Sequence, residues 1–194
     1  MKAVAFATER WLALTNLCVA VFLALPFAAP WLMSSGQSEI AGWIYRLYSA
    51  TCHQWPFRAY FLFGPQLTYS FDELSAVAAG AVYSFVGSPD VGYKVAFCTR
   101  NVAIYLGVWL AGLVYAAAPS RFHALPLRSY ALLITPMAID GLTQLVGLRE
   151  SNLELRTLTG LLFGVASVWL VYPRVARLLE STLSVQPRSW LQRV

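Results

Sequence analysis

A chain of 194 residues that is 58% hydrophobic and only 12% charged does not read as a soluble domain, in which about 25% of residues are charged. The mean hydropathy of +0.58 agrees, and the length leaves room for four or five membrane-crossing segments of ~20 apolar residues each. The net charge of +5 does not point to nucleic acid: the basic residues flank apolar segments instead of forming one patch, and there is no Walker-type loop, HExxH or dinucleotide-binding glycine pattern.

In chain order, the first apolar run is Trp11 to Met33, behind Lys2 and Arg10. It is too long for a signal-peptide core of ~7–15 residues, so an uncleaved helix is expected. Residues 34–97 are mixed. Trp43 to Phe63 is aromatic and amphipathic but interrupted by Arg46, Cys52-His53-Gln54, Pro56 and Arg58. These groups are costly in hydrocarbon, so an interfacial or re-entrant segment is expected. Leu74 to Val86 is short for a span and reads as re-entrant, with a fifth span as the alternative. A second span is expected over about Asn101–Ala118, ended by Pro119. A third covers about Tyr130–Leu148, and a fourth about Leu153–Tyr172, ended by Pro173. Ser151 and Glu154 read as a capping box for the fourth. The expected fold is therefore an all-α membrane bundle of about four helices, one polytopic domain over residues 1–173 with a basic tail over 174–194.

With the N-terminus in the cytoplasm, eight of the 14 Lys and Arg residues fall inside: Lys2, Arg10, Arg121, Arg128, Arg174, Arg177, Arg188 and Arg193. Basic residues near short loops set orientation. The expectation is a multi-pass protein of the plasma membrane with both termini cytoplasmic.

This topology gathers residues distant in sequence at the outer face: Cys52, His53, Gln54, Arg58, Cys98, Arg100, Asp140, Gln144, Arg149, Asn152 and Arg156. Asp140 is the sharpest of them, because an ionisable group within a span is a functional-site candidate by default. It could be a structural ion-pair partner of Arg100, Arg149 or Arg156, or a catalytic, ligand-binding or metal-binding carboxylate. Thr143 and Gln144 share its helix face. Asn152 reads as a helix-start residue. Glycines 141, 147, 160 and 164 would let helices pack closely. Cys52 and Cys98 could form an external disulfide, or ligate zinc or another divalent metal together with His53 and Asp140, although the spacing is not that of a zinc finger. His53 and Asp140 are the candidates for acid/base chemistry. Gln54, Arg58, Arg100, Gln144, Arg149 and Arg156 are candidates for holding an anionic ligand.

Four motifs carry a resemblance: Cys52-His53-Gln54 with Pro56-Phe57-Arg58; Cys98-Thr99-Arg100 running on to Ile104-Tyr105-Leu106-Gly107; Asp140-Gly141-Leu142-Thr143-Gln144; and Arg149-Glu150-Ser151 with Arg156-Thr157-Leu158-Thr159-Gly160. Together, over about residues 45–165, they resemble an uncharacterised family of small bacterial and archaeal polytopic membrane proteins, a domain of unknown function. Asn101 stands where that family often has a second Cys, Ala59 where a Ser often follows the Arg, and Asn152 one position before the expected Asn. The missing Cys counts against a Cys-x-x-Cys metal knuckle or redox pair. The resemblance implies a polytopic membrane protein with a shared polar site and supplies no activity. Three functions fit: a site for a metal or an anionic, lipid-like ligand; an accessory or assembly subunit of a membrane complex; and a quinone-linked thiol oxidoreductase.

Overall fold

The computed structural model describes residues 2–149 and 151–185, with side chains described over 10–149 and 151–181. Glu150, Arg188 and Arg193 lie outside the described residues. The chain is mostly helical: α1 (Lys2–Ser34), α2 (Ser38–Ser49), β1 (Ala59–Leu62), α3 (Phe71–Val77), β2 (Gly87–Ser88), β3 (Gly92–Cys98), α4 (Thr99–Ala117), α5 (Leu127–Leu145) and α6 (Leu153–Val185). Three helical stretches are long and apolar enough to cross a membrane: Arg10–Ser34, Thr99–Ala117 and Leu153–Ser181.

The all-α expectation needs correction between α1 and α4. A three-stranded antiparallel sheet of order β1-β3-β2 stands there. Its central strand β3 reads Gly-Tyr-Lys-Val-Ala-Phe-Cys, and Val95, Ala96 and Phe97 are fully buried. A strand covered on both faces loses the period-two alternation that marks a strand in sequence. The amphipathic reading holds for α2, which buries Ala41, Ile44 and Tyr48. From residue 56 onward the segment is a tight turn and β1. The stretch read as re-entrant or a fifth span contains α3, only 7 residues long, and a single turn over Val82–Ser84. Neither element can cross a bilayer.

One core cluster seats α1, α2 and β3 on each other through Ala29, Leu32, Ile44, Tyr48, Val95 and Phe97. Rings of Tyr48 and Phe97 meet edge-on at 4.7 Å, and Phe97 stacks on Tyr105 of α4, a preferred aromatic geometry. Pro26 lies inside α1, so the carbonyl of Phe22 loses its helical donor. The Tyr48 hydroxyl takes that donor's place at 2.8 Å.

The same device corrects the expected end of the last span. Pro173 does not terminate α6, which runs on to Val185, so residues 174–185 are helix and not a separate tail. The carbonyl freed by Pro173 belongs to Trp169, and the Leu125 amide donates to it at 3.3 Å. Neighbouring segments re-satisfy the backbone in this way when proline sits inside a membrane helix.

At its other end, α6 is capped by Asn152 and not by a Ser151–Glu154 box: Asn152 Oδ1 accepts from the Leu155 amide at 2.8 Å. A capping box does exist at Ser70 and Glu73, starting α3. Asn152→Ala should lower unfolding stability by about 1 kcal/mol, read as a reduced midpoint in thermal denaturation of the detergent-solubilised protein. Helix α5 ends in a Schellman turn, with Gly147 at φ 72° and the Leu148 amide donating to the Thr143 carbonyl at 3.0 Å.

Helices α4 and α6 touch backbone to backbone. A Cβ at Gly164 would stand 2.2 Å from the Ile104 carbonyl oxygen, and one at Gly107 2.6 Å from that of Leu161. Gly160 also belongs to this contact. Gly141 does not, since its nearest neighbour is 3.7 Å away, and Gly147 has nothing within 4 Å and serves the turn.

Candidate functional site

The N-terminal ends of α4 and α6, the C-terminal end of α5 and the turn before β1 converge at one end of the molecule. Asp140, in the last two turns of α5, is 1% exposed. Arg100, in the first turn of α4, donates to its Oδ2, and Arg149 donates to Oδ1 at 2.6 Å. Ser151 adds a hydroxyl donor to Oδ2 at 2.9 Å, and Arg149 also reaches Thr143 Oγ1 at 3.1 Å. A buried carboxylate is tolerated when charge and hydrogen bonds surround it in this way. Ser151, read from sequence as a cap, is part of this cradle.

Gln144 lies one turn beyond Asp140. With its amide oxygen turned toward them, it accepts from Arg156 at 2.5 Å and from Arg58 at 3.2 Å. The opposite orientation offers only a 3.5 Å contact from Arg100, so hydrogen bonding favours the first. Arg58 also stacks over Trp55, 4.4 Å from the ring centroid, a cation–π contact. Two guanidiniums thus hold the Asp140 carboxylate, and two more meet the Gln144 amide one turn away. The buried Nε atoms of Arg100 and Arg156 have no hydrogen-bond partner among the described residues.

Beside this network lies a cavity of about 310 Å³, lined by residues of both cysteine motifs and by Arg58, Arg100, Gln144 and Arg156. Cys52 and Cys98 meet here, each a free thiol. The Cys52 sulfur accepts the Gln54 amide at 3.4 Å. The Cys98 thiol and amide favour its charged form, and His53 and Lys94 are close enough to act on that charge. These donors, the Cys98 thiol first, outweigh burial and bring Cys52 down to about 6. Cys98 moves the opposite way, well above the usual thiol value, because it donates to Cys52 and is buried.

Sequence reasoning missed Lys94. It is 4% exposed at the centre of β3, and its ammonium donates to the Gln54 carbonyl at 2.7 Å. Burial lowers it to about 8. A lone cation in an otherwise apolar heptapeptide was the signal that could have found it. Gln54, whose φ is 53°, is held by its side-chain amide donating to the Tyr45 carbonyl at 2.8 Å. His53 lines the cavity and sits 5.8 Å from the Trp55 ring.

The metal reading is not supported by this arrangement. Among the described residues no three of His, Cys, Asp and Glu come together to hold an ion. Cys52 and Cys98 meet, but Asp140 faces two arginines and a serine instead of the thiols.

The three apolar helices and the polar site at one end define the class: a membrane protein with a cluster of charged side chains at one end of its helices. Residues 91–170 match the family described as Predicted membrane protein (DUF2085). An uncharacterised protein of Methanocaldococcus jannaschii is 31% identical over 160 residues, which cover 79% of this chain and 85% of that one. A second uncharacterised protein, from Methanothermobacter thermautotrophicus, is 40% identical over 74 residues, 38% of this chain and 67% of that one. The chain belongs to this family of predicted membrane proteins of unknown function. No solved structure matches it.

Proposed function

We propose that the arginine-lined cavity is a binding site for an anionic group, a phosphate or carboxylate carried by a lipid headgroup or by a small soluble molecule. The observation that carries this is the charge balance. Arg100 and Arg149 already share Asp140, while the buried Arg156 meets the neutral amide of Gln144 at the cavity wall. Positive charge drawn out of water calls for a counter-charge, and guanidiniums suit a planar or tetrahedral oxyanion.

In this reading α5 is a fourth span. It is 19 residues long, long enough to cross with little tilt, and turns Leu132, Ile139, Leu142 and Leu145 outward. Both termini then lie in the cytoplasm and the site lies on the outer face of the plasma membrane.

The test is ligand-induced stabilisation of the purified protein, since a ligand that binds only the native state raises the melting temperature. One arm uses phosphatidylglycerol against phosphatidylcholine nanodiscs; the other adds inorganic phosphate to protein in phosphatidylcholine. A rise with phosphatidylglycerol alone identifies a headgroup, and a rise with phosphate identifies a soluble anion. Arg156→Gln should abolish either rise, while Arg121→Gln, in the exposed turn at the far end of α4, should leave it. Equal melting in every condition overturns the reading.

A further inference from the structure

The same cavity holds a feature that anion binding does not use. Cys52 lies in the loop after α2, and Cys98 is the last residue of β3, at the N-cap of α4. Both are free thiols, both line the cavity, and they are close enough to act on each other's charge. Cys18, by contrast, sits exposed on α1.

We propose that Cys52 and Cys98 are a redox-active dithiol that exchanges with a small disulfide bearing carboxylates, with Cys52 as the attacking sulfur and Cys98 as the resolving one. The geometry assigns the roles. The Cys52 sulfur accepts the Gln54 amide at 3.4 Å, and Cys98 and the Lys94 ammonium are close enough to act on its charge. That is how a protein holds a thiolate. Cys98 keeps its proton for the first step and can supply it to a leaving group. The opposite displacement of the two thiols described above fits this division of labour.

The exchange balances. The Cys52 thiolate attacks one sulfur of the disulfide R–S–S–R. The S–S bond breaks, Cys52–S–S–R forms, and R–S⁻ leaves with the Cys98 proton as R–SH. The Cys98 thiolate then attacks the Cys52 sulfur, the Cys52–Cys98 bond forms, and the second R–S⁻ leaves and is protonated by water. Two protein thiols are oxidised and one external disulfide is reduced to two thiols. The preference for a carboxylated disulfide rests on the anion-binding reading, because Arg58, Arg100 and Arg156 line the same cavity. The dithiol itself does not depend on that reading.

The experiment uses the full chain with Cys18→Ser in nanodiscs. Alkylation of Cys52 should rise about tenfold per pH unit below about 6 and level off above it, with Cys98 reacting far more slowly. Oxidised glutathione should produce an intramolecular Cys52–Cys98 bond, seen by peptide mass spectrometry and reversed by excess reduced glutathione. Cys98→Ser should instead accumulate the mixed disulfide at Cys52. Should that variant not fold, acid quenching of the Cys18→Ser protein at short times traps the same species. Two disulfides separate the claims: oxidised glutathione is anionic and cystamine is cationic. If Arg156→Gln slows only the glutathione reaction, both the dithiol and its preference stand. If it slows neither, the preference for carboxylates is overturned and the dithiol stands. Failure of both reagents to form the bond overturns the dithiol, and so does a bond that excess reduced glutathione cannot open.

Discussion

Asp140→Asn is expected to destabilise the protein by about 3 kcal/mol, the low end of what removing one partner from a buried ion pair costs. Asp140 is almost wholly buried, and it is the shared acceptor for Arg100, Arg149 and Ser151. An amide of the same shape keeps the packing but removes the charge, and it presents donors where the carboxylate accepted. The low end applies because the Arg149 side chain is 41% exposed and can turn to solvent, while Arg100 at 21% is more confined. A thermal unfolding series in nanodiscs reads the loss. A double-mutant cycle with Arg100→Gln should show coupling, the double variant being more stable than the two single losses sum to. The measurement also decides what Asp140 is for. If the variant melts early yet binds the anionic ligand at low temperature with unchanged affinity, Asp140 holds helices together. If it melts normally and binding changes, the carboxylate belongs to the ligand site, and its cradle of donors is a consequence of that role.

Much of this site was legible in the sequence, because membrane helices impose depth. Once consecutive spans alternate in direction, the start of α4, the end of α5 and the start of α6 must fall at one end, so Arg100, Asp140, Gln144 and Arg156 could be grouped without any contact information. What depth could not give was which groups meet. It left Asp140 open as an ion-pair partner of Arg100, Arg149 or Arg156 or as a metal ligand beside His53 and the cysteines, and the contacts show the carboxylate held by Arg100 and Arg149. The segment between α1 and α4 was opaque for a different reason. A short strand buried on both faces, such as β3, carries no alternation, and the polar groups around Cys52 interrupt every apolar run. Lys94 disappeared with it. Local signals failed by ambiguity. Ser-x-x-Glu occurs at residues 70–73 and 151–154; the first starts α3, and in the second Ser151 turns to Asp140 while Asn152 caps α6. Proline misled in the same way, since whether Pro173 ends α6 depends on the Leu125 amide reaching the orphaned Trp169 carbonyl from 44 positions earlier in the chain.

The second large effect lies in the contact that aligns these elements. Gly164→Ala should destabilise the protein by about 2 kcal/mol, the middle of the range for forcing extra volume into a packed contact, and it should do so against the local propensity. Alanine gains about 1 kcal/mol over glycine in a helix interior, so Gly141→Ala in α5, whose new methyl would meet only the end of the Arg100 side chain at 3.7 Å, should be neutral or slightly stabilising. At Gly164 the methyl meets the Ile104 carbonyl at 2.2 Å and the Val108 amide at 2.8 Å. Both are backbone atoms of α4, and they cannot swing aside as a side chain can. Relief requires the two helices to separate. That separation would carry Arg100 at the head of α4 away from Arg156 at the head of α6, where they stand in the wall of one cavity. The two alanine variants therefore make a matched pair, measured by thermal unfolding and by anion-dependent stabilisation. Opposite signs in stability, with anion binding weakened only in Gly164→Ala, would show that close contact between α4 and α6 sets the width of the site. Equal stability in the two variants would mean that α4 and α6 part without cost, and that something other than their contact holds the arginines in place.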